Sequence, residues 1–162
     1  MKKISLVIWL MVMLFSLHGQ SLQGTGKKSI PPFIITQANG SQFKAADLIK
    51  GKAVLMVYFD PDCDHCELFI KELMNQINAF NNIQIILITY VPVESVKKFI
   101  AKLGLAKYPG IKVGTEGSAF IVRYHYNVVQ FPYLALHDKT GQLFATYESE
   151  VPDPAKLAAM YK

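Results

Sequence analysis

Two stretches of the chain are apolar without interruption, Ala53 to Phe59 and Ile83 to Tyr90 apart from Gln84 and Thr89. Runs of this length bounded by turn residues predict strands buried on both faces. Between them the period changes. Cys66, Phe69, Ile70, Leu73, Ile77 and Phe80 lie along one helical stripe, while Glu67, Lys71, Asn75 and Asn78 fall elsewhere. That pattern predicts an amphipathic helix from Asp64 to Phe80, with Cys66 on its buried side and Cys63 at its exposed start. Pro92-Val93 opens a second helix that ends near Gly104 and turns Val96, Phe99, Ile100 and Leu103 inward. Upstream, Phe33 to Thr36 predicts a short strand, Asn39-Gly40 a hairpin turn, and Ser41 to Phe43 its return. Ala45 to Lys50 reads as a short helix or turn. Tyr108 to Gly117 carries Pro109-Gly110 and two further glycines, so it reads as a loop with one short strand at Ile111 to Val113. Ser118 to Tyr126 then predicts a short helix, Pro132 to His137 a strand, Asp138 to Gly141 a turn, Gln142 to Tyr147 a returning strand, and Pro154 to Tyr161 a closing helix. The order is β-α-β-α followed by β-β-α, which belongs to the α/β class.

The first residues stand apart. Lys2-Lys3 precede an uncharged apolar stretch from Ile4 to Leu17, a positive region followed by a hydrophobic one of signal-peptide length. It is short for a membrane span, so an uncleaved anchor is the lesser reading. The expected organisation is a signal peptide over residues 1–21, cut after Gly19 or Ser21, a flexible lead-in over 22–29, and one domain over 30–162. Export would deliver that domain to the periplasm or another extracytoplasmic compartment, where disulfides persist.

Charge adds little. The chain of 162 residues has 17 basic against 12 acidic side chains and a net charge of +5, but its lysines are scattered or paired, as in Lys27-Lys28 and Lys97-Lys98. No basic run supports nucleic-acid binding, and a solvated basic surface accounts for the excess.

The chemistry is carried by the 2 cysteines. They stand as Cys63-Asp64-His65-Cys66, where the first buried strand gives way to the first helix. A cysteine at a helix N-terminus faces free backbone N–H groups and the positive end of the dipole, which favour its thiolate. A second cysteine about one turn on is close enough to form a disulfide. A bridge closing so short a loop adds little stability, so a purely structural role explains the pair poorly. Cys63 is the expected nucleophile and Cys66 the resolving thiol. A protonated His65 would stabilise the Cys63 thiolate, whereas Asp60, Asp62 and Asp64 would oppose it, and Asp62 or Asp64 could instead cap the helix.

The segment Tyr58-Phe59-Asp60-Pro61-Asp62-Cys63-Asp64-His65-Cys66, together with Gln130-Phe131-Pro132-Tyr133 at the start of the late hairpin, resembles the thioredoxin-like superfamily. The long stretch between Tyr90 and Pro132 is similar to the TlpA/ResA-like branch of exported thiol–disulfide oxidoreductases. The resemblance spans roughly Ile30 to Lys162. It implies a thioredoxin fold, a central mixed β-sheet flanked by helices with an insertion before a cis-Pro hairpin. It also implies a dithiol that exchanges disulfides with partner proteins, more as a reductant than an oxidant, with a membrane electron donor as candidate partner. Phe131, Pro132 and Tyr133 would line the partner groove. Two departures from the pattern bear on mechanism: Asp62 stands where a tryptophan is common, and Val57 stands where thioredoxin carries a buried acid, so proton handling at Cys66 would fall to Glu67 or a water.

No cofactor and no metal is expected. A copper-binding thioredoxin-fold metallochaperone would need a histidine placed to join the cysteines, and a zinc site would want a second Cys/His pair. A peroxiredoxin-like thiol peroxidase would carry a proline and a threonine where Met56 and Asp60 stand. His125, His137, Tyr124 and Tyr126 read as packing or surface residues.

Overall fold

The computed structural model describes residues 28–161. The expected signal peptide and most of the lead-in therefore lie outside the described residues. Lys28 and Ser29 already belong to the fold: the Lys28 carbonyl accepts from the Leu143 amide at 2.8 Å, and Ser29 bridges Gln142.

Seven strands form one mixed sheet: β1 (Ile34–Gln37), β2 (Gln42–Lys44), β3 (Ala53–Tyr58), β4 (Ile83–Thr89), β5 (Lys112–Thr115), β6 (Tyr133–His137) and β7 (Leu143–Glu148). Their spatial order is β2-β1-β5-β4-β3-β6-β7. The pairs β3/β4 and β4/β5 are parallel and the other neighbours antiparallel. Among the described residues four α-helices flank the sheet: α1 (Asp64–Asn75), α2 (Val93–Leu103), α3 (Ile121–Tyr126) and α4 (Pro154–Ala159). Each of the two parallel pairs is joined by a helix, α1 or α2, as parallel neighbours require.

β3 lies inside the sheet between β4 and β6, and every one of its residues is buried. Its side chains alternate between the faces of the sheet. Leu55, Val57 and Phe59 join the core formed with α1, α2 and α4, including Cys66, Phe69, Ile70, Leu73, Phe99 and Leu157. Val54, Met56 and Tyr58 join a second core with Phe33, Ile35, Val122, Tyr126 and Tyr133. Burying an aliphatic side chain of this size contributes about 1.5–3 kcal/mol, so the two-faced run at β3 and β4 anchors the domain.

Three elements differ from the sequence expectation. The helix predicted to reach Phe80 ends at Asn75; Gln76 leaves helical geometry (φ −110°, ψ 18°) and a 3-10 turn follows over Ile77–Phe80. There the Gln76 side chain donates to Asp153, at the start of α4. The helix predicted over Ser118 to Tyr126 is broken at Phe120 (φ 47°), which leaves a 3-10 turn at Gly117–Ala119 and α3 beyond it. The third difference is β5. The short strand expected at Ile111 to Val113 is present but lies one residue later at its start and extends through Thr115, between β4 and β1. Gly114 permits this, because a Cβ there would lie 2.8 Å from the Thr36 carbonyl oxygen and 3.0 Å from the Ile35 Cβ. Replacing it with alanine (G114A) forces β1 away from β5, with an expected loss of about 1–3 kcal/mol in urea unfolding; an unchanged midpoint would show that β1 yields freely.

His137 is fully buried at the end of β6, with Nε2 2.8 Å from the Tyr126 hydroxyl. Burial, followed by the nearby His125, lowers its pKa to about 4 from the ordinary 6.5. The fold thus favours the neutral imidazole, while the unfolded chain takes up a proton near pH 6.5. This contribution is complete above pH 6.5 and is lost as the pH falls toward 4, a change of about 3 kcal/mol. His125, whose pKa burial also lowers, acts in the same direction. Urea midpoints measured between pH 7 and pH 4 should fall, and the fall should be smaller in H137N; equal slopes in the two proteins would assign the acid sensitivity elsewhere.

Candidate active site

β3 delivers the chain to the site. Beyond its last residue, Asp60 to Asp62 form a turn in which the Cys63 amide donates to the Asp60 carbonyl at 3.1 Å and the Asp62 amide to the Asp60 carboxylate at 2.9 Å. Cys63 then caps α1 itself: its Sγ accepts from the Cys66 amide at 3.2 Å. The capping role considered for Asp62 and Asp64 thus belongs to the sulfur between them. The sulfur thereby accepts an N–H that the first turn of the helix would otherwise leave unpaired.

The sulfurs of Cys63 and Cys66 are 2.7 Å apart as free thiols, with the Cys66 thiol donating. Cys63 is half-buried and Cys66 has no exposed surface. Burial, then the bond to Cys63, pushes the Cys66 thiol well above its ordinary pKa, against which the Asp60 backbone amide favours the thiolate.

The Phe131–Pro132 peptide bond is cis. The Phe131 carbonyl oxygen lies 4.0 Å from Cys63 Sγ. The approach to this bond is tied down by Glu148 of β7, whose carboxylate accepts from the Val129 and Gln130 amides at 2.8 and 2.6 Å. The Pro132 carbonyl in turn accepts from the Ser149 amide at 3.0 Å. Phe131 stacks on Tyr58 and Tyr90, with ring centroids 6.1 and 6.0 Å apart. Of the three residues expected to line a partner groove, Phe131 is half-buried beside Cys63 and Pro132 is buried at the cis bond, but Tyr133 packs in the core against Tyr126. Strand alternation sends Tyr133 into the sheet once β6 pairs it with Tyr58.

His65 is exposed and lines a groove of about 560 Å³ with Leu68, Phe69, Glu72, Glu150 and Pro152 among others, on the side of α1 facing the loop before α4. Asp62 and Asp64 are exposed. Glu67 is not placed to handle the Cys66 proton. It pairs with Lys102 and with Lys71 (2.7 Å), and these bonds, Lys102 first, hold its carboxyl below the usual range.

Three participants escaped the sequence reading. Tyr90 donates its hydroxyl to the Asp60 carboxylate at 2.5 Å, and that bond, then burial, raises its phenol pKa. The Arg123 guanidinium lies over Tyr90, Phe120 and Phe131, 5.4 to 5.8 Å from the ring centroids, at cation–π distance. Buried Glu116 accepts from the Tyr58 hydroxyl at 2.7 Å and from the Val122 amide at 2.8 Å, and so fixes the start of α3. Only the first pair carried a signal in the sequence: Asp60 and Tyr90 each follow the end of a predicted strand, and the parallel register Tyr58↔Ile88 continued by two residues sets them side by side. As for metals, among the described residues no group of three or more His, Cys, Asp or Glu is arranged to hold an ion.

The family model described as the AhpC/TSA family matches residues 27–160. Among solved structures, the chain is similar to a secreted Mycobacterium tuberculosis disulfide oxidoreductase homologous to Escherichia coli DsbE (18% identity, TM-score 0.65, covering 79% of this chain and 92% of that one). It is similar to the thioredoxin domain of a Bacteroides vulgatus thiol-disulfide oxidoreductase (23%, TM-score 0.64, 85% and 96%). It is also similar to a thioredoxin-family thiol:disulfide interchange protein from Chlorobium tepidum (18%, TM-score 0.67, 83% and 96%). No curated protein matches the sequence. The structural likenesses identify the fold as that of thioredoxin, as the sequence led one to expect.

The two thiols should differ sharply toward alkylation. In the reduced native protein at pH 7.5, iodoacetamide is expected to label Cys63 first, with Cys66 modified only on unfolding, as mapped by peptide mass. Equal labelling of both would show that Cys66 is reachable from solvent.

Proposed function

The chain belongs to the AhpC/TSA family, and on that footing we propose that it is an extracytoplasmic thiol–disulfide oxidoreductase that acts on partner proteins, chiefly as a reductant. The observation that carries this is the unbonded Cys63–Cys66 pair at the start of α1, with Cys63 facing the Phe131 carbonyl. Cys63 attacks a disulfide of the partner and forms a mixed disulfide. Cys66 then attacks Cys63 Sγ, the partner leaves as a dithiol, and the enzyme holds the disulfide. Run in reverse, the same steps oxidise a dithiol.

Phe131 and Pro132 form the wall against which an extended partner segment would lie, since the proline has no N–H and the Phe131 carbonyl lies beside Cys63. Asp62, Asp64 and His65 flank Cys63 and are the residues placed to tune its redox chemistry. A membrane electron donor would re-reduce the pair. The leader Lys2-Lys3 with Ile4–Leu17 supports export, as does the likeness to a protein described as secreted.

A thiol peroxidase is the second reading, and the family match favours it. The residues oppose it. Met56 is buried in the sheet with its sulfur 3.8 Å from the Tyr126 hydroxyl, and the Asp60 carboxylate is taken by Tyr90 and the Asp62 amide.

With dithiothreitol as electron source, the domain is expected to reduce insulin disulfides, C63S to abolish this, and C66S to accumulate a mixed disulfide. A reduction potential near that of thioredoxin, about −270 mV, supports the reductant assignment, and one near DsbA, about −120 mV, reverses it. Dithiol-dependent consumption of hydrogen peroxide without insulin reduction would establish the peroxidase reading instead.

A further inference from the structure

We propose that Arg123 determines specificity at the exchange site by binding an acidic side chain that the partner segment carries on one flank of its reactive cysteine. The inference rests on the exchange reaction proposed above and names the partner's chemistry at that same site.

The local sequence brings the arginine to the surface. α3 buries Val122 and Tyr126, one turn apart, in the core it shares with β3. Ile121 and Tyr124 face outward, 41% and 71% exposed, and Arg123 is half-buried between the two faces. Its guanidinium carbon lies 5.4 Å from the Tyr90 ring centroid, 5.7 Å from that of Phe120 and 5.8 Å from that of Phe131. Phe131 is the residue whose carbonyl oxygen lies 4.0 Å from Cys63 Sγ. Three rings thus hold one cation against the wall beside the nucleophile.

Ring contacts fix the charge without consuming its donors. A guanidinium carries five N–H groups in a rigid planar fork that matches a carboxylate. Among the described residues the Arg123 guanidinium makes no hydrogen bond and no ion pair. The acids beside it are committed to other donors. Glu116 accepts from the Tyr58 hydroxyl and from the Val122 and Arg123 amides, the last at 3.3 Å. Asp60 accepts from the Tyr90 hydroxyl and the Asp62 amide.

The sheet divides the charge around Cys63. α3 packs on the face that carries Met56 and Tyr58, and α1 on the face that carries Leu55 and Val57. Asp62, Asp64, Glu72 and Glu150, all exposed, belong to the α1 side. No lysine or arginine lines the groove that Glu72 and Glu150 border with His65. An extended segment crossing the Phe131–Pro132 wall therefore meets a cation on its α3 flank and carboxylates on its α1 flank. A carboxylate of the partner is attracted on the first and repelled on the second. Exposed Tyr124 and Val129 add apolar surface beside the cation, which suits an acidic residue set among apolar ones.

Nine-residue peptides with a central cysteine, oxidised to symmetric dimers, test this. They carry Glu, Gln or Lys three residues before the cysteine or three after it, in a background of Ala, Ser and Val. The rate at which the reduced protein releases peptide thiol is read after acid quenching. In the wild type, Glu on one flank is expected to react about fivefold faster than Gln, at the upper end for a half-exposed ion pair, and Lys more slowly than Gln. On the other flank Glu brings no gain. In R123E the order on the favoured flank inverts to Lys over Glu. R123K keeps the wild-type order with a smaller ratio, since a point charge lacks the fork. Ratios taken within one protein do not depend on the fraction of it that is folded, so a loss of stability in either variant leaves the reading intact.

A Glu-to-Lys ratio in R123E equal to that of the wild type overturns the inference. So does equal acceleration by Glu on both flanks, which is attraction to a net basic chain, and so does equal slowing of every peptide in both variants, which assigns Arg123 to packing alone. A wild type that reduces insulin yet treats all the peptides alike removes this inference and leaves the exchange reading standing. A wild type that reduces neither insulin nor any peptide removes both.

Discussion

The site depends on one strand. β3 is buried on both faces and paired on both edges, to β4 in parallel and to β6 in antiparallel orientation. Parallel pairing carries the end of β4, and so Tyr90, to the same end of the sheet as Asp60. Antiparallel pairing brings the start of β6, and so Pro132, to that same end. The dithiol, its carboxylate neighbour and the cis bond therefore meet because three strand ends meet, although they lie far apart along the chain. Because β3 contributes to both cores, a shift of this strand would have to disturb packing on both faces, and the apolar surface it buries resists that.

The second determinant is the unequal treatment of two chemically identical side chains. Cys63 occupies the cap of α1, where its sulfur receives an N–H and the helix dipole, and it remains open to a partner. Cys66, one turn on, is pressed into the core between α1 and the sheet. In the proposed exchange the first thiol is the one placed for attack and the second is the one withheld until its neighbour is engaged. The same helix supplies both environments, since its first turn has free donors and its inward stripe is apolar.

Membership of a family known by its model does not by itself choose between acting on protein disulfides and acting on peroxide. The choice proposed above rests on the residues beside the dithiol. Met56 is a core residue, and Asp60 is bonded to Tyr90, so neither offers the hydroxyl-bearing pocket that a peroxidase of this lineage would present before its cysteine. The Phe131–Pro132 edge beside Cys63 suits an extended polypeptide. The aromatic cluster of Tyr58, Tyr90 and Phe131, with Arg123 over it, makes that edge stiff.

By itself the sequence determined the strands that build the sheet's centre, the helix that follows the first of them, and the dithiol at their junction. Each of these is written locally, in an uninterrupted apolar run, a helical period of 3.6, or the spacing of two cysteines, and local signals survive without knowledge of the fold. What the tertiary structure decided was everything that depends on register. The strand expected at Ile111 to Val113 runs on through Gly114 and Thr115 because two neighbours hydrogen-bond to it and Gly114 lets β1 approach. Tyr133 is a core residue and not a groove wall because its pairing with Tyr58 assigns its face. Asp60 meets Tyr90, and Glu67 meets Lys102, across separations of 30 and 35 residues. Such contacts are set by how strands align and helices pack, and no periodicity within a single segment records them.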